Sequence, residues 1–328
     1  MNPIKVGILV CGAVTEKSYL PAFKALPETF SLCSLVDKDL GQAGRLAELY
    51  DIPLFSDKYE QTIESVDAVL IALPNFLHVP AGISVLESGK SVLIEKPMAI
   101  NVAEATQLIN VARTSPGSLT IAQLRRYFDS DLSIRSIVKS GILGDISKVD
   151  YREGGIYGWP IRSESAYDPM CSGGGVFMDL GSHVLDTMQW IFGDLTIEGY
   201  QDDSRGGVES DCFASFCTEF SAKIDIHLSR IRQTDSLITI LGSNGLFEQT
   251  LFSKEFVLTL KDGRKITGQH EFEKNVIEMQ NVVERQLSDW ARCLHASENS
   301  VVDGDFALNT IKLIEQGYSI RESSHSRW

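Results

Sequence analysis

The sequence has little of what a membrane-bound or nucleic-acid-binding protein needs. No apolar run approaches the roughly 20 residues of a membrane-spanning helix, and the first residues lack the charged-then-apolar layout of a secretory signal. No block of Lys or Arg supplies the basic face that binds a phosphate backbone, and the formal net charge is −14. We therefore expect a cytoplasmic protein that binds neither membranes nor nucleic acids.

Paired cysteines are also missing. The six cysteines include no C-x-x-C pair, and several lie in apolar, strand-like runs. In such runs cysteine usually behaves as a small buried hydrophobic residue. We therefore expect reduced thiols, with neither a disulfide framework nor a zinc site.

The length and composition are those of a water-soluble globular protein with two domains. The chain has 328 residues, of which 43% are hydrophobic and 23% charged, and this length exceeds one ordinary core. In the first part, strand-like runs alternate with helical stretches, which predicts β-α-β units and a parallel sheet. We expect an α/β fold that begins with a doubly wound, dinucleotide-binding Rossmann domain over residues 1–124. The strand-like runs cover residues 4–10, 30–36, 66–73, 91–94 and 119–124.

The pattern changes in the second part of the chain. A glycine-rich turn at 173–175 opens a helix, and at least four strand-like segments follow between residues 195 and 241. Short turns join these strands, and 242–245 is typical of a hairpin, so they predict a large, mostly antiparallel sheet. We expect an α+β domain over 125–328 that binds the substrate, with a last helix that can pack back on the first domain.

The loop after the first strand predicts a phosphate-binding turn. Gly12, Ala13 and Val14 lie where a strand passes into a helix, and backbone amides at such a place can face an anion. Only the middle glycine of the G-x-G-x-x-G fingerprint is present, because Val10 and Thr15 occupy the outer positions. An ordinary β-α turn therefore stays open as an alternative.

A carboxylate at the end of the second strand strengthens the prediction of a dinucleotide site. Asp37 lies where it can accept hydrogen bonds from both hydroxyls of the adenosine ribose, although it could instead cap the following helix. Its charge would repel a 2′-phosphate, so NAD(H) is favoured as the cofactor. The neighbouring Lys38 softens that preference and leaves NADP(H) open.

A charged pair, Glu95 and Lys96, follows the apolar run at 91–94 directly and precedes Pro97. The carboxyl edge of a parallel sheet is where open α/β folds bind ligands. A protonated lysine there can hydrogen-bond a reacting oxygen and stabilise the charge that develops as a hydride moves. The alternative is a surface salt bridge in front of a helix.

Three ordered motifs resemble those of the glucose–fructose oxidoreductase / inositol dehydrogenase (Gfo/Idh/MocA) family. They are E-K-P at 95–97, A-x-P-N-x-x-H over 72–78, and G-G-G-x-x-x-D-x-G-x-H-x-x-D over 173–186. The chain departs from the family at Val10, where glycine is usual, at Thr15, and by one extra residue before Leu20. The resemblance implies a nicotinamide-dependent dehydrogenase or keto-reductase acting on a sugar, polyol or nucleotide-linked sugar.

The resemblance also implies roles for particular residues. It implies a catalytic triad of Lys96, Asp179 and His183, with His183 as the acid/base, and a cis peptide bond before Pro97. Beyond the glycine loop, Asp37 and Lys38, it implies cofactor contacts from Leu73, Pro74, Asn75, His78, Glu95 and Lys96.

The chemistry of the helix after the glycine-rich turn agrees with this triad. Asp179 and His183 are four residues apart and share one helix face. Histidine suits proton transfer near neutrality, so we expect His183 to titrate at about pH 6–8. Asp179 can orient the imidazole or bind a substrate hydroxyl. One alternative is that Asp179 is an acidic residue favoured in the first turn of a helix by the helix dipole, and that His183 is packed in the core. The other is a metal set that includes Asp186; because no further ligand cluster is evident, we expect no metal.

Further substrate contacts are expected from arginine and aromatic side chains. Arg125, Arg126 and Tyr127 follow the last strand of the first domain, and Tyr157 and Trp159 lie near the first strand of the second. Tryptophan can stack on a sugar ring, and arginine can pair with a carboxylate or a phosphate.

Two other functions stay open at this point. One is a lyase or glycosidase that oxidises its substrate transiently and retains its NAD, and the other is a non-catalytic sugar- or dinucleotide-sensing protein, which the reduced glycine loop favours. Family members are commonly dimers or tetramers, and an antiparallel sheet with an open face often pairs with another subunit. We therefore expect a homodimer or homotetramer, formed through the C-terminal sheet, that binds a small carbohydrate.

Overall fold

The computed structural model describes residues 2–156, 158, 164–270, 276–296 and 302–323. The strands in this part of the chain are β1 (Ile4–Leu9), β2 (Phe30–Val36), β3 (Leu54–Ser56), β4 (Ala68–Ile71), β5 (Ser91–Glu95), β6 (Leu119–Ala122), β7 (Ile146–Gly154), β8 (Leu195–Asp202), β9 (Asp211–Thr218), β10 (Lys223–Ser229), β11 (Leu237–Gly242), β12 (Gly245–Thr250), β13 (Glu255–Leu260), β14 (Lys265–Gln269) and β15 (Glu322–Ser323). The helices are α1 (Leu20–Ala25), α2 (Leu40–Leu49), α3 (Tyr59–Ser65), α4 (His78–Glu87), α5 (Val102–Ala112), α6 (Asp129–Lys139), α7 (Pro169–Ser172), α8 (Val176–Phe192), α9 (Val276–Ala296) and α10 (Gly304–Ser319).

The first six strands form a parallel sheet in the order β3-β2-β1-β4-β5-β6. Their inner residues are almost wholly buried because helices cover both faces, which explains why they read as continuous apolar runs. The predicted parallel sheet is confirmed. The strand order reverses at β1, which lies between β2 and β4, and a crevice at such a switch point is where open α/β sheets bind ligands.

Two elements of this region were not predicted from the sequence. β3 is only three residues long and lies at the edge of the sheet, beside β2. α3 is short and mostly polar, so it shows little of the apolar periodicity that marks a helix.

The second sheet has nine strands in the order β14-β13-β12-β11-β7-β10-β9-β8-β15. It is mostly antiparallel as predicted, with parallel pairs at β7–β10 and β8–β15. The predicted hairpin at 242–245 is confirmed, since Gly242 pairs with Gly245 across the turn between β11 and β12. β12, β13 and β14 lie beyond the segments that the sequence predicted.

Two long helices cover one face of this sheet. α8 packs on β9 and β10, and α10 packs on β8. α8 buries Val184, Leu185 and Met188, which share one helix face. α10 also contacts α5 and β6 of the parallel-sheet part of the chain. In the described residues, no helix is long and apolar enough to cross a membrane.

A buried ion pair joins the part of the chain that forms the parallel sheet to the part that forms the antiparallel sheet. The guanidinium of Arg126, just after β6, donates to both carboxylate oxygens of Asp186 on α8, from Nε at 2.8 Å and from Nη2 at 2.9 Å. The side chains are 3% and 0% exposed. From the sequence, Arg126 was a candidate substrate contact and Asp186 a candidate metal ligand. In the structure these two residues pair with each other. Fork-shaped pairing of this kind fixes orientation as well as distance.

We predict that Asp186→Asn lowers the free energy of unfolding by about 3–5 kcal/mol, because it removes the negative charge that buried Arg126 contacts. The control is Asp305→Asn, since Asp305 pairs with Arg113 at 2.7 Å but both side chains are about 60% exposed. That change should cost less than about 1 kcal/mol. Urea unfolding of both variants measures the difference, and equal losses would contradict a structural role for the buried pair.

Candidate active site

The loop between β1 and the first helical turn has the conformation that glycine favours, although valine occupies it. Val10 has a φ of 82°, in the left-handed region where a β-branched residue is strained. Thr15 is fully buried, and its Oγ1 donates to the Val10 carbonyl oxygen at 2.7 Å. The two departures from the fingerprint thus preserve a tight turn. Gly12, Ala13 and Val14 lie at the N-terminal end of the helix that follows.

The extra residue before Leu20 is accommodated by a π-helical stretch, Thr15–Tyr19, that runs directly into α1. A π-helical turn adds a residue to a helix without interrupting it. Its last residue, Tyr19, is buried, and its hydroxyl donates to Glu95 Oε1 at 2.6 Å. The insertion therefore connects the glycine loop to the carboxyl end of β5.

Asp37 holds the glycine loop from the end of β2. Its Oδ2 accepts a hydrogen bond from the Cys11 amide at 2.8 Å, and its Oδ1 accepts one from the Asp39 amide at 2.9 Å. The N-cap of α2 is Asp39, not Asp37, so the alternative of Asp37 as a helix cap is wrong. Lys38 is exposed between these two aspartates.

The turn at the end of β5 is held by a buried histidine. The peptide bond between Lys96 and Pro97 is cis, as predicted. The ring nitrogens of His78 lie 2.7 Å from the carbonyl oxygens of Leu73 and Pro97, so His78 bridges the loops that follow β4 and β5. Because its ring nitrogens lie against these two backbone carbonyls, His78 positions the two loops, and it also lines the cleft described below.

The loop after β4 also reaches the second region. Asn75 follows Pro74, and its Nδ2 donates to the carbonyl oxygen of Ser172 at 2.8 Å. Ser172 ends α7, immediately before the glycine-rich turn. The A-x-P-N-x-x-H element therefore helps to fix the loop after β4 to the segment that precedes α8.

The central contact joins Lys96 to Asp179 on the first turn of α8. The Lys96 ammonium donates to Asp179 Oδ1 at 2.5 Å and to the Asp179 carbonyl oxygen at 3.0 Å. The guanidinium of Arg230, just after β10, donates to the other carboxylate oxygen, Oδ2. Arg230 was not singled out from the sequence. A lone arginine after a strand carries no motif, and 51 residues separate it from Asp179.

The residues around this contact line a cleft of about 480 Å³ between the two sheets. His183 lies in its wall one helical turn beyond Asp179, and its Nδ1 is buried without a hydrogen-bond partner among the described residues. Leu180 of α8 also lines the cleft. The predicted site residues among the lining are Val14, Leu73, Asn75, His78, Glu95, Lys96, Arg125, Asp179 and His183.

Burial and neighbouring cations set the ionisation of the cleft. Desolvation lowers the pKa of His183 well below its usual value, and the charges of Lys96 and Arg125 act in the same direction. The expectation that His183 titrates near pH 6–8 is therefore wrong, and its imidazole is neutral at pH 7. Desolvation lowers the pKa of Lys96 to about 8, with Arg230 and Arg125 also lowering it and Glu95 opposing them.

The glycine-rich turn is shaped by a buried carboxylate that sequence reasoning missed. Glu209 accepts hydrogen bonds from the amides of Gly175 and Phe177, each at 2.9 Å, and from the Tyr318 hydroxyl at 2.8 Å. A Cβ on Gly174 would collide with the Tyr318 hydroxyl, and one on Gly175 with the Glu209 backbone. Glycine is required because these groups hold the amino end of α8 so closely.

The expected substrate contacts have different outcomes. Arg125 lines the cleft, donating to both Glu153 carboxylate oxygens at 2.8–2.9 Å and to the Tyr151 hydroxyl at 2.5 Å. Tyr127 is not among the described lining residues, since its hydroxyl donates to Asp289 on α9 at 2.8 Å. Tyr157 and Trp159 lie outside the residues that the structure describes. Within the described part of the chain, no group of three His, Cys, Asp or Glu could hold a metal ion.

Two family models match most of the chain. Residues 4–123 match the oxidoreductase family with an NAD-binding Rossmann fold, and residues 132–248 match the GFO/IDH/MocA C-terminal domain. A curated relative, D-glucoside 3-dehydrogenase of Escherichia coli, is 24% identical over 337 aligned positions that cover 98% of this chain and 93% of the relative.

Solved structures share the fold over nearly the whole chain. The aldose-aldose oxidoreductase of Caulobacter crescentus, solved with glycerol, has a TM-score of 0.84 at 22% identity and covers 97% of each chain. A levoglucosan dehydrogenase, solved with NADH and levoglucosan, has a TM-score of 0.86 at 14% identity, covering 97% of this chain and 96% of the other. At these identities the structures establish the fold alone.

We predict that Val10→Gly raises the free energy of unfolding by about 1 kcal/mol, because relief of the left-handed strain exceeds the entropy cost of glycine. The matched control is Val14→Gly, since Val14 has a φ of −67° and a right-handed helical backbone. That change should lower the free energy of unfolding by about 1 kcal/mol. Urea unfolding measures both, and destabilisation by Val10→Gly would show that Val10 is not strained.

Proposed function

The chain belongs to the GFO/IDH/MocA family of oxidoreductases, and on that premise we propose that it exchanges a hydride between a nicotinamide cofactor and a hydroxyl-bearing carbon of a sugar, polyol or nucleotide-linked sugar. The observation that carries the proposal is the contact between Lys96 and Asp179. These side chains come from opposite walls of one cleft, and their contact places a cationic donor and a carboxylate beside His183.

The cleft fits a nicotinamide dinucleotide in two respects. The tight loop at Gly12, Ala13 and Val14 opens at the mouth of a helix, where backbone amides can bind a pyrophosphate, and Asp37 lies beside it. His183 also lines the cleft, where its ring can exchange a hydrogen bond with a ligand. A bound nicotinamide would supply the hydride acceptor or donor. Leu73, Pro74, Asn75, Glu95 and Lys96 would border it.

The chain's own residues transfer the proton and stabilise the charge that develops on the reacting oxygen. In alcohol oxidation His183 accepts the hydroxyl proton on a ring nitrogen, which is available because the imidazole is neutral at pH 7. The Lys96 ammonium donates to the oxygen of the reacting carbon and stabilises its developing negative charge. Asp179 orients Lys96 and accepts from a substrate hydroxyl. In carbonyl reduction the protonated His183 returns the proton to the forming hydroxyl, and the Lys96 ammonium again donates to the oxygen of the reacting carbon.

We propose that NAD(H) is preferred over NADP(H). Both Asp37 oxygens already accept backbone hydrogen bonds, so the carboxylate is fixed at the end of β2. There it can accept from ribose hydroxyls and repel a 2′-phosphate. The ratio of dissociation constants for NADH and NADPH, in the wild type and in Asp37→Ser, tests the preference. Tighter binding of NADPH to the wild type would contradict it.

We also propose that the open face of the second sheet joins two copies in a homodimer or within a homotetramer. Phe213 and Leu241 are more than 40% exposed on that face, and the His227 ring stacks on Phe213 at 3.9 Å. Light scattering of the purified protein tests this, and a monomer at micromolar concentration would contradict it.

We predict a pH profile for sugar oxidation that is set by Lys96, whose pKa is about 8. At saturating NAD⁺, kcat/KM should fall as Lys96 loses its proton above that pH, because a neutral amine stabilises a developing alkoxide less well. Lys96→Arg, which stays charged, should remove the falling limb. Lys96→Ala should lower kcat by about 10²–10³.

His183 serves as the second arm of the same experiment. Because its pKa lies well below the usual value, His183→Ala should lower the rate at every pH between about 6 and 9 without moving the limb that belongs to Lys96. A wild-type rate that rises through pH 8 would make Lys96 the base and contradict these roles. A burst of NADH without net turnover would instead favour an NAD-retaining lyase or glycosidase.

A further inference from the structure

A second cavity continues the cleft on the side of the antiparallel sheet. It has a volume of about 620 Å³ and shares Asp179, Leu180 and Phe252 with the first cleft. Its other walls come from the ends of β7 and β10 and the loops after them, and they include Glu153, Ser229, Arg230, Gln233 and Ser236. Asp179 therefore lies where the two cavities meet and lines both of them.

The two carboxylate oxygens of Asp179 have different partners. Oδ1 accepts from Lys96, at the end of β5, and Oδ2 accepts from Arg230, after β10. The Arg230 side chain is 19% exposed and lines the second cavity. The Arg230–Asp179 pair therefore lines the second cavity, and the same carboxylate contacts Lys96 in the first cleft.

The charges that line the two cavities favour an uncharged substrate. In the described residues the cations Lys96 and Arg230 flank Asp179, Lys96 also adjoins Glu95, and Arg125 is paired with Glu153. An anionic substrate would have to displace one of these carboxylates and leave it uncompensated in a partly buried site, which is costly. A neutral polyhydroxylated molecule can bridge the same groups with hydrogen bonds.

We propose that Arg230 is a specificity-determining residue that contacts the substrate. Together with Asp179 it binds the hydroxyl on the carbon next to the reacting carbon, so the enzyme requires an uncharged vicinal diol. Arg230 donates an N–H to that hydroxyl oxygen, and the hydroxyl donates to Asp179. The two oxygens of one carboxylate can accept from neighbouring sugar hydroxyls, as an acidic residue does with a ribose. This inference rests on the proposed function and names its substrate class.

The test compares substrates with and without the neighbouring hydroxyl. The probes are the panel sugar with the highest kcat/KM, its analogue deoxygenated on the neighbouring carbon, and its carboxylate form; for D-glucose these are 2-deoxy-D-glucose and D-glucuronate. The wild type should prefer the parent sugar over the deoxy analogue by about 100-fold, since a partly buried charged partner loses its hydrogen bond. It should also prefer the parent sugar over the carboxylate form.

Arg230→Met should reduce the preference for the parent sugar over the deoxy analogue to less than about 10-fold, and Arg230→Lys should restore part of it. The dissociation constant for NADH should not change in either variant, which verifies that the first cleft is folded. The control is Arg232→Met, the same change two residues later, where Arg232 pairs with Asp211 and lies outside the second cavity. It should keep the wild-type preference.

Two results would overturn the inference. If Arg230→Met lowered kcat/KM equally for the parent and deoxy sugars, Arg230 would only position Asp179. If the wild type preferred the carboxylate form, the substrate class would be wrong. Failure of the wild type to oxidise any sugar or polyol of the panel with NAD⁺ or NADP⁺ would instead contradict the proposed function itself, and the inference would fall with it.

Discussion

The contact between Lys96 and Asp179 is the interaction on which the site depends. It joins the carboxyl end of a strand in the parallel sheet to the first turn of the helix that covers the antiparallel sheet. Neither sheet alone brings a cation, a carboxylate and a neutral imidazole together. The contact requires that both the β5 turn and the amino end of α8 be held in place, because a shift of about 1 Å in a reacting group can cost two orders of magnitude in rate.

Much of the surrounding structure supplies that restraint with buried polar groups. His78 lies between two backbone carbonyls behind Lys96, and the Tyr19 hydroxyl donates to Glu95 beside it. Glu209 holds the amino end of α8, and Asp186 fixes the same helix further along through its fork-shaped pair with Arg126. Burying these groups is costly unless each is paired. The same burial lowers the pKa values of Lys96 and His183, so the restraint also sets the ionisation of the cleft.

The sequence predicted the parts of this arrangement that local patterns encode. Alternating strands and helices, and a lysine at a strand end, predicted the parallel sheet and a ligand-facing edge. Spacing of four residues placed Asp179 and His183 on one helix face, and resemblance to a family added the cis bond before Pro97. These features are readable because periodicity and order along the chain determine them.

The remaining features depend on contacts between distant parts of the chain. Arg230 and Glu209 lie 51 and 34 residues from the groups they hold, and no motif marks either one. Tyr127 follows a promising strand, yet the position of α9 directs its hydroxyl to Asp289. The low pKa of His183 required knowing its burial and its two neighbouring cations. Val10 looked like a lost glycine because the sequence does not show that the Thr15 side chain hydrogen-bonds the Val10 carbonyl and closes the same turn.

A crystal structure of the chain with bound NADH tests the central claim most directly. The account predicts the pyrophosphate on the backbone amides around Gly12 and the nicotinamide ring in the smaller cleft, beside Lys96 and His183, with the second cavity left open for the sugar. A pyrophosphate bound away from this loop, or a nicotinamide ring out of contact with both side chains, would contradict it.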